Sequence, residues 1–369
     1  MTRADVMTGS PSVKKFRTRL LGWYRKNARK NLPWRATRDP YAIWISEAML
    51  QQTQVAKVIP YFQRFLSKFP TVDSLAAAAP THVFDAWAGL GYYSRARNLH
   101  AAARMICREH GGRVPGTVEE LLRLPGIGRY TAGAVASIAY NQPAPILDGN
   151  VIRVLCRHFG IAENPKTGAV QKKLWALAQT LVPSSSPGDF NQALMECGAL
   201  LCTPVSPRCP LCPLKSSCAA FRRNLQDRIP LKSAAQRRAP VRYACGILEK
   251  EGRLLLARRP LNGLLAGLWE FPGGEIKDGE PLLHGLKHHL KERLGIEAQP
   301  QEKAATVKQL LSHRELTISA YRSRWSGKLA VRYYTEYRWV PPDEIKTMGL
   351  TAGMLNLANR LQPQEVHIP

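Results

Sequence analysis

The sequence predicts a multidomain fold, with an all-α region over residues 1–221 and an α/β domain over 241–369. Three observations carry that expectation. From residue 13 to about 221, apolar side chains recur at three- and four-residue spacing. Ile45, Met49, Val55, Ile59 and Phe62 do so within 41–65, and similar periods run over 118–122, 132–140, 151–159 and 171–182. Turn signals separate these stretches at Gly111-Gly112, at Pro125-Gly126, over 141–145 and over 184–188. Residues 222–240 then change character: Arg222, Arg223, Arg228, Lys232, Arg237 and Arg238 are interspersed with Pro230, Ser233 and Pro240, the composition of a basic linker. After 241 the pattern is mixed. Residues 243–248 and 253–258 read as a hairpin around Glu251-Gly252, 282–294 as a helix stopped by Gly295, and 316–325 and 331–340 as strands.

Composition narrows the function. The chain has 369 residues, 45 % of them apolar, and no stretch approaches the ~18 apolar residues of a membrane span. Residues 1–10 lack the apolar core of a secretory signal, so a soluble intracellular protein is expected, in the cytoplasm or nucleoid or, in a eukaryote, the nucleus. The formal net charge is +26 and is unevenly spread. Residues 1–240 hold 34 Lys and Arg against 13 Asp and Glu, and residues 241–369 hold 19 against 14. A basic surplus of that size attracts polyanions through counterion release, which makes nucleic acid the expected partner. A membrane partner is not expected.

Four of the eight cysteines form one group, Cys202-x6-Cys209-x2-Cys212-x5-Cys218. A disulfide scaffold would be short and cysteine-dense throughout, so a single tight group in a long chain points to metal. Four thiolates enclose either zinc or an iron–sulfur cubane, and spacing physics alone leaves both open.

Two further motifs carry chemistry. Leu124-Pro125-Gly126-Ile127-Gly128-Arg129-Tyr130 joins two helical patterns; Gly126 and Gly128 permit positive φ and close backbone approach, and the amides opening the next helix are placed to bind phosphate. The motif resembles the helix-hairpin-helix of DNA-binding proteins. Glu47 lies among apolar residues in Trp44-Ile45-Ser46-Glu47-Ala48-Met49-Leu50, where partial desolvation would raise its pKa and suit it as an acid near neutral pH. Asp148, in Ile146-Leu147-Asp148-Gly149-Asn150-Val151, supplies a second carboxylate and doubles as a helix cap. An acid and an anion are what hydrolysis of a glycosidic bond requires: one protonates the leaving base, the other stabilises a cationic sugar.

Taken in order, these pieces resemble the adenine DNA glycosylases of the MutY family over residues 30–221. Further matching segments are Leu32-Pro33-Trp34-Arg35, Gln51-Gln52-Thr53, Gly89-Leu90-Gly91-Tyr92-Tyr93-Ser94-Arg95 and Phe190-Asn191-Gln192-Ala193-Leu194. The resemblance implies that the four cysteines bind a 4Fe-4S cluster. It implies that Glu47 protonates an extruded adenine and that Asp148 stabilises the sugar cation. Arg35 and Gln192 fall at positions that contact the flipped adenine. Gln52 and Tyr92 fall at positions that insert into the duplex, and Thr53 and Leu90 lie beside the opposing lesion base. In the related endonuclease III a lysine stands at the place of Tyr130. A tyrosine cannot form that Schiff base, so base removal without strong strand cleavage is expected. The implied partner is double-stranded DNA bearing adenine opposite 8-oxoguanine, bound by a monomer, with adenine opposite guanine as a further substrate.

The C-terminal region resembles a Nudix fold from Gly263-Leu264-Leu265-Ala266-Gly267-Leu268-Trp269-Glu270-Phe271-Pro272-Gly273-Gly274-Glu275 onward. The frame of the metal-binding box is kept from Gly274 through Glu280 to Gly295-Ile296. Its ligands are not: His288-His289 replace an Arg-Glu pair, Arg293 replaces a glutamate, and only Glu292 survives. A magnesium site wants several carboxylate oxygens, so pyrophosphate hydrolysis is not expected. In the glycosylase family this domain reads 8-oxoguanine through a Phe-Ser-His loop. Here the loop is Leu311-Ser312-His313, which keeps Ser312 and His313 and loses one aromatic contact.

Overall fold

The computed structural model describes residues 11–231, 238–263, 265–311 and 313–361. By contact the chain divides into two compact units, one made of residues 1–77 and 98–234 and the other of 78–97 and 235–369. Residues 78–97, helical by sequence period, thus belong with the C-terminal unit. No helix among the described residues is long and apolar enough to cross a membrane.

The helical elements are α1 Pro11–Asn27, α2 Pro40–Leu50, α3 Val55–Lys68, α4 Val72–Ala77, α5 Pro80–Trp87, α6 Ser94–His110, α7 Val118–Leu121, α8 Arg129–Tyr140, α9 Gly149–Phe159, α10 Gly168–Leu181, α11 Pro187–Leu200 and α12 Ala219–Arg222. Helix α2 starts sharply because the Asp39 carboxylate accepts from the amides of Tyr41 and Ala42 and Pro40 presets the first turn. Residues 41–49 are all buried, so α2 is a core helix and presents no polar face. The apolar period over 41–65 reads as one stretch, but the chain breaks it: Gln52 takes φ +55 and a second helix starts at Val55. The turn signal over 184–188 is shorter than expected, since Ser186 sits at φ +55 and α11 starts at Pro187.

The hairpin joins α7 to α8. Gly126 takes φ +76, and a Cβ there would come within 2.6 Å of Asn98 Cβ, so the position requires glycine on both counts. Gly128 departs from expectation: it is extended, at φ −92 and ψ 175, and caps α8 with open space around it. Residues 222–231 do not run free as a linker. Ile229 is buried, and its carbonyl accepts from Arg157 Nε at 2.9 Å.

In the second unit the strands are β1 Ala239–Ile247, β2 Glu249–Lys250, β3 Arg253–Arg258, β4 Trp269–Glu270, β5 Gly273–Ile276, β6 Glu297–Leu310, β7 Arg314–Ser326 and β8 Glu336–Val340, with helices α13 Leu282–Leu294 and α14 Ala352–Leu361. One mixed sheet has the order β5-β1-β7-β6, with β1 and β7 parallel. Alternation along β1 explains its burial on both faces. Tyr243, Cys245 and Ile247 join the core under α14, with Met354 and Leu357, while Ala244 and Leu248 join the core under α13, with Leu286, Leu290 and Leu294.

The hairpin expected between 243–248 and 253–258 forms differently. Glu251 and Gly252 do make the turn, at φ +52 and +70, but they join β2 to β3, while β1 pairs with β5 and β7 in the other sheet. Strand β8 is also shorter than 331–340, because the chain over 331–335 bends before pairing with β3. Helix α13 ends where expected, with Gly295 at φ +70.

Candidate active site

Glu47, Tyr130 and Asp148 converge on one cavity of about 690 Å³ in the first unit. Helix α2 contributes Glu47, the start of α8 contributes Tyr130, the start of α9 contributes Asp148, and α11 contributes Gln192, Met195 and Glu196. Its size falls within that of pockets that enclose small organic ligands.

The Glu47 side chain is buried, at 5 % exposure. The Tyr130 hydroxyl donates to Glu47 Oε2 at 2.7 Å and also meets the Met195 sulfur at 3.2 Å. Burial pushes the Glu47 carboxyl up to about 7; the Tyr130 hydrogen bond opposes that rise and the Asp148 charge adds to it. Tyr130 itself is driven well above its usual range, first by burial and then by the two carboxylates, so it stays a neutral donor. Asp148 is the N-cap of α9: one oxygen accepts from the Val151 amide at 2.7 Å and the other from Asn150 Nδ2 at 3.0 Å. Burial raises its pKa, and those donors work against the rise by favouring the ionised form. The two carboxyls are therefore set differently, one desolvated and bonded to a phenol, the other stabilised by a helix start. If Glu47 must carry a proton to act, the single-turnover rate falls by about tenfold per unit above pH 7, and it falls again on the acid side once Asp148 takes up its proton. A rate unchanged from pH 6 to pH 9 would contradict that assignment.

A second charged group lines the same cavity. Glu196, 1 % exposed, is met by Arg29 at 2.7 Å and by Arg35 at 2.8 Å. Burial alone would raise its pKa, but hydrogen bonds from Arg29 and Arg35 outweigh that and hold it near about 2. Arg35 also donates to the Arg29 carbonyl, so two of its nitrogens are engaged by protein rather than aimed into open space. Sequence reading named Arg35 and missed Glu196 and Arg29. The available signal was the one used for Glu47, an acid inside an otherwise apolar helical stretch.

The four cysteines Cys202, Cys209, Cys212 and Cys218 are free thiols of intermediate exposure. Arg157 ties their loop to α9: it donates to the Thr203 carbonyl at 2.7 Å and to Cys202 Sγ at 3.4 Å, and its own carbonyl accepts from Cys218 Sγ at 3.4 Å. The thiols also perturb one another. Neighbouring thiolates contribute to raised pKa values at Cys202, Cys209 and Cys218, behind burial as the leading cause. Among the described residues, no three His, Cys, Asp or Glu side chains are arranged to hold a metal ion.

Residues 45–180 match the family model of the HhH-GPD superfamily base excision DNA repair proteins, and residues 243–360 match a NUDIX domain. Adenine DNA glycosylases of Rattus norvegicus and Homo sapiens are each 38 % identical to this chain, over 93 % and 96 % of its length and 77 % and 75 % of theirs. The chain belongs to the adenine DNA glycosylase family. A solved thermostable thymine-DNA glycosylase superposes with a TM-score of 0.52 at 32 % identity, over 57 % of this chain and 97 % of that one. The glycosylase is thus a base excision repair enzyme built from an HhH-GPD helical domain and an α/β Nudix-like domain.

Other expected site residues of the glycosylase fall in both units. Gln52, Thr53, Gly126 and Gly128 line the cavity of the first unit. In the second unit Tyr92 is 47 % exposed and held at φ +49, a rare conformation for a bulky side chain. Leu90 beside it is buried, at 5 % exposure. His313 is exposed at the tip joining β6 to β7, and its carbonyl accepts from the Ala239 amide at 2.9 Å. Ser312 lies outside the described residues. Leu311 packs on the core under α14, which gives this side chain a structural use in place of an exposed aromatic. In the altered Nudix box, His289 Nε2 pairs with the Glu275 carbonyl at 2.8 Å, and Arg293 donates to the Gly273 carbonyl at 2.7 Å while lying over the Tyr333 ring.

Proposed function

We propose that the glycosylase removes adenine paired with 8-oxoguanine, and more slowly adenine paired with guanine, by hydrolysing the N-glycosidic bond and leaving an abasic site. One observation carries this reading: a buried carboxyl, pushed up to about 7 by its desolvation, shares a cavity of about 690 Å³ with a helix-capping carboxylate. Glu47 holds a proton for the leaving adenine, and ionised Asp148 stabilises the positive charge that develops on the sugar. Arg35 and Gln192 frame the base, with Glu196 as an added acceptor on the same wall. The amides opening α8 after Gly126 and Gly128 receive a backbone phosphate. Gln52 and Tyr92, both at positive φ, insert into the duplex and offset the cost of extruding the base, with Thr53 and Leu90 beside the lesion. The tip carrying Ser312 and His313 reads 8-oxoguanine. The protein acts as a monomer.

Cys202, Cys209, Cys212 and Cys218 have the donor set for a 4Fe-4S cluster. The four thiols supply that donor chemistry on a loop drawn onto α9 by Arg157, although among the described residues no three of them are gathered around a common centre. When bound, the cluster supplies a covalent staple for the basic loop bearing Arg208, Lys215 and Arg222. The protein's own contribution there is Arg157, whose charge faces Cys202.

Tyr130 supports hydrolysis without strand cleavage, because a neutral phenol bonded to Glu47 offers no amine to the sugar. Tyr130→Lys is expected to give a detectable alkali-independent break; a lysine variant that still needs alkali would show that the amine alone is insufficient. The reading as a whole is tested by single-turnover assays on duplexes holding adenine opposite 8-oxoguanine, adenine opposite guanine and thymine opposite guanine, developed with and without alkali. Alkali-dependent breaks, fastest for adenine opposite 8-oxoguanine, are expected. Release of thymine at a comparable rate would favour the mismatch enzymes to which the helical domain is also similar.

A further inference from the structure

Arg258 is 3 % exposed and lies on β3 of the C-terminal unit, yet two of the three hydrogen bonds its side chain donates go to α5. Its Nε donates to the Gly267 carbonyl at 3.0 Å. Its Nη2 donates to Asp85 Oδ1 at 3.1 Å and to the Thr81 carbonyl at 3.3 Å. Glu336 stands 3.7 Å from Nη1, and the guanidinium lies over the Trp269 ring. A buried guanidinium satisfied on several sides has one geometry available, so it holds α5 in register. The packing around it is equally tight: Gly267 is at φ +71, and a Cβ there would come within 3.3 Å of the Phe84 ring.

Helix α5 is in turn the base of the loop that presents Tyr92. Trp87, its last residue, donates through Nε1 to the Gly91 carbonyl at 3.2 Å. The Tyr93 hydroxyl accepts from the Gly89 amide at 2.9 Å. Arg95 donates to the carbonyls of Leu90 and Gly91 and stacks over both the Trp87 and Tyr92 rings. A continuous set of fixed contacts therefore runs from Arg258 through Asp85 and Trp87 to Tyr92.

We propose that Arg258 is a positioning residue for duplex insertion: with Asp85 it fixes the Tyr92 loop to the Nudix-like fold, so that Tyr92 and the β6–β7 tip bearing His313 act as one body. This rests on the reading above, in which Tyr92 inserts and the C-terminal fold reads the lesion. Recognition of the opposing base then sets where the wedge enters, without a catalytic group moving.

The test uses the full-length protein and a duplex with 2-aminopurine beside 8-oxoguanine on its strand, where insertion unstacks the reporter and raises its emission. Asp85→Ala removes the α5 partner from a partly exposed position and leaves the β3 framework alone. It is expected to abolish most of the emission rise and to slow adenine release opposite 8-oxoguanine by roughly tenfold in a protein that still folds, with a melting temperature lowered by the buried charge left without its partner. Asp85→Asn keeps an acceptor for Arg258 and is expected to restore most of both. Arg258→Ala is expected to match Asp85→Ala, and the double variant is expected to add nothing. Full emission and full rate in Asp85→Ala would overturn the proposal. Tyr92→Ala is the separating control. If it leaves the emission rise intact, the insertion reading itself fails, and the proposal falls with it.

Discussion

Glu47→Gln is expected to slow adenine release by about a thousandfold or more while leaving lesion-duplex binding nearly intact. General acid catalysis contributes roughly 10²–10⁴ in rate, and an amide cannot deliver the proton. The substitution is nearly isosteric, and the Tyr130 hydroxyl at 2.7 Å still finds an oxygen to donate to. The same change should make the protein more stable in alkaline buffer. Glu47 binds its proton more tightly in the folded chain, with a pKa of about 7 against an ordinary 4.5, so folding stability falls as pH rises between those values. Above pH 7 the buried carboxylate costs roughly 3 kcal/mol, a figure reduced by any water that enters the cavity. A glutamine variant that melts higher than the parent at pH 8, equally at pH 4, and releases no adenine would fit a group retained for chemistry at the expense of stability. Normal turnover would remove Glu47 from the mechanism.

Asp148 separates charge from structure when two substitutions are compared. Asp148→Ala removes both the anion facing the cavity and the N-cap of α9. It is expected to lower stability by about 1 kcal/mol and the single-turnover rate by roughly 10²–10³. Asp148→Asn keeps a good cap, since an amide oxygen still accepts from the Val151 amide, and loses only the charge. Its melting temperature should stay near the parent's while its rate falls nearly as far as that of the alanine variant. If the asparagine variant retains full rate, Asp148 serves α9 alone, and the cation must be stabilised elsewhere.

Much of the catalytic cavity could be read from the chain because its signals are local. An acid inside an apolar stretch at Glu47 and an aspartate before Gly149-Asn150 at a helix start each declare a chemistry within a few residues, as do the four closely spaced cysteines away from that cavity. The division into a helical and an α/β part was legible for the same reason, since periods of 3.6 and 2 differ over short windows. The failures came where neighbours far along the chain decide conformation. Gly128 is extended because it caps α8, a role that composition does not distinguish from a left-handed turn. Strand β1 leaves its expected hairpin partner because the parallel β7, some seventy residues later, offers a longer pairing in a sheet whose two faces are covered by α13 and α14.

Residue types, helical period, the hairpin and the charge surplus depend on nothing beyond their own stretch of chain, and they name the chemistry present. Three matters needed the folded chain. It joined Glu196 to Arg29 and Arg35 across more than 160 residues, turned Leu90 inward while leaving Tyr92 open, and assigned residues 78–97 to the C-terminal unit through Arg258 and Asp85. The physical reason is common to all three. Burying a charge or a loop is favourable only when partners complete it, and those partners come from segments whose proximity no local pattern encodes.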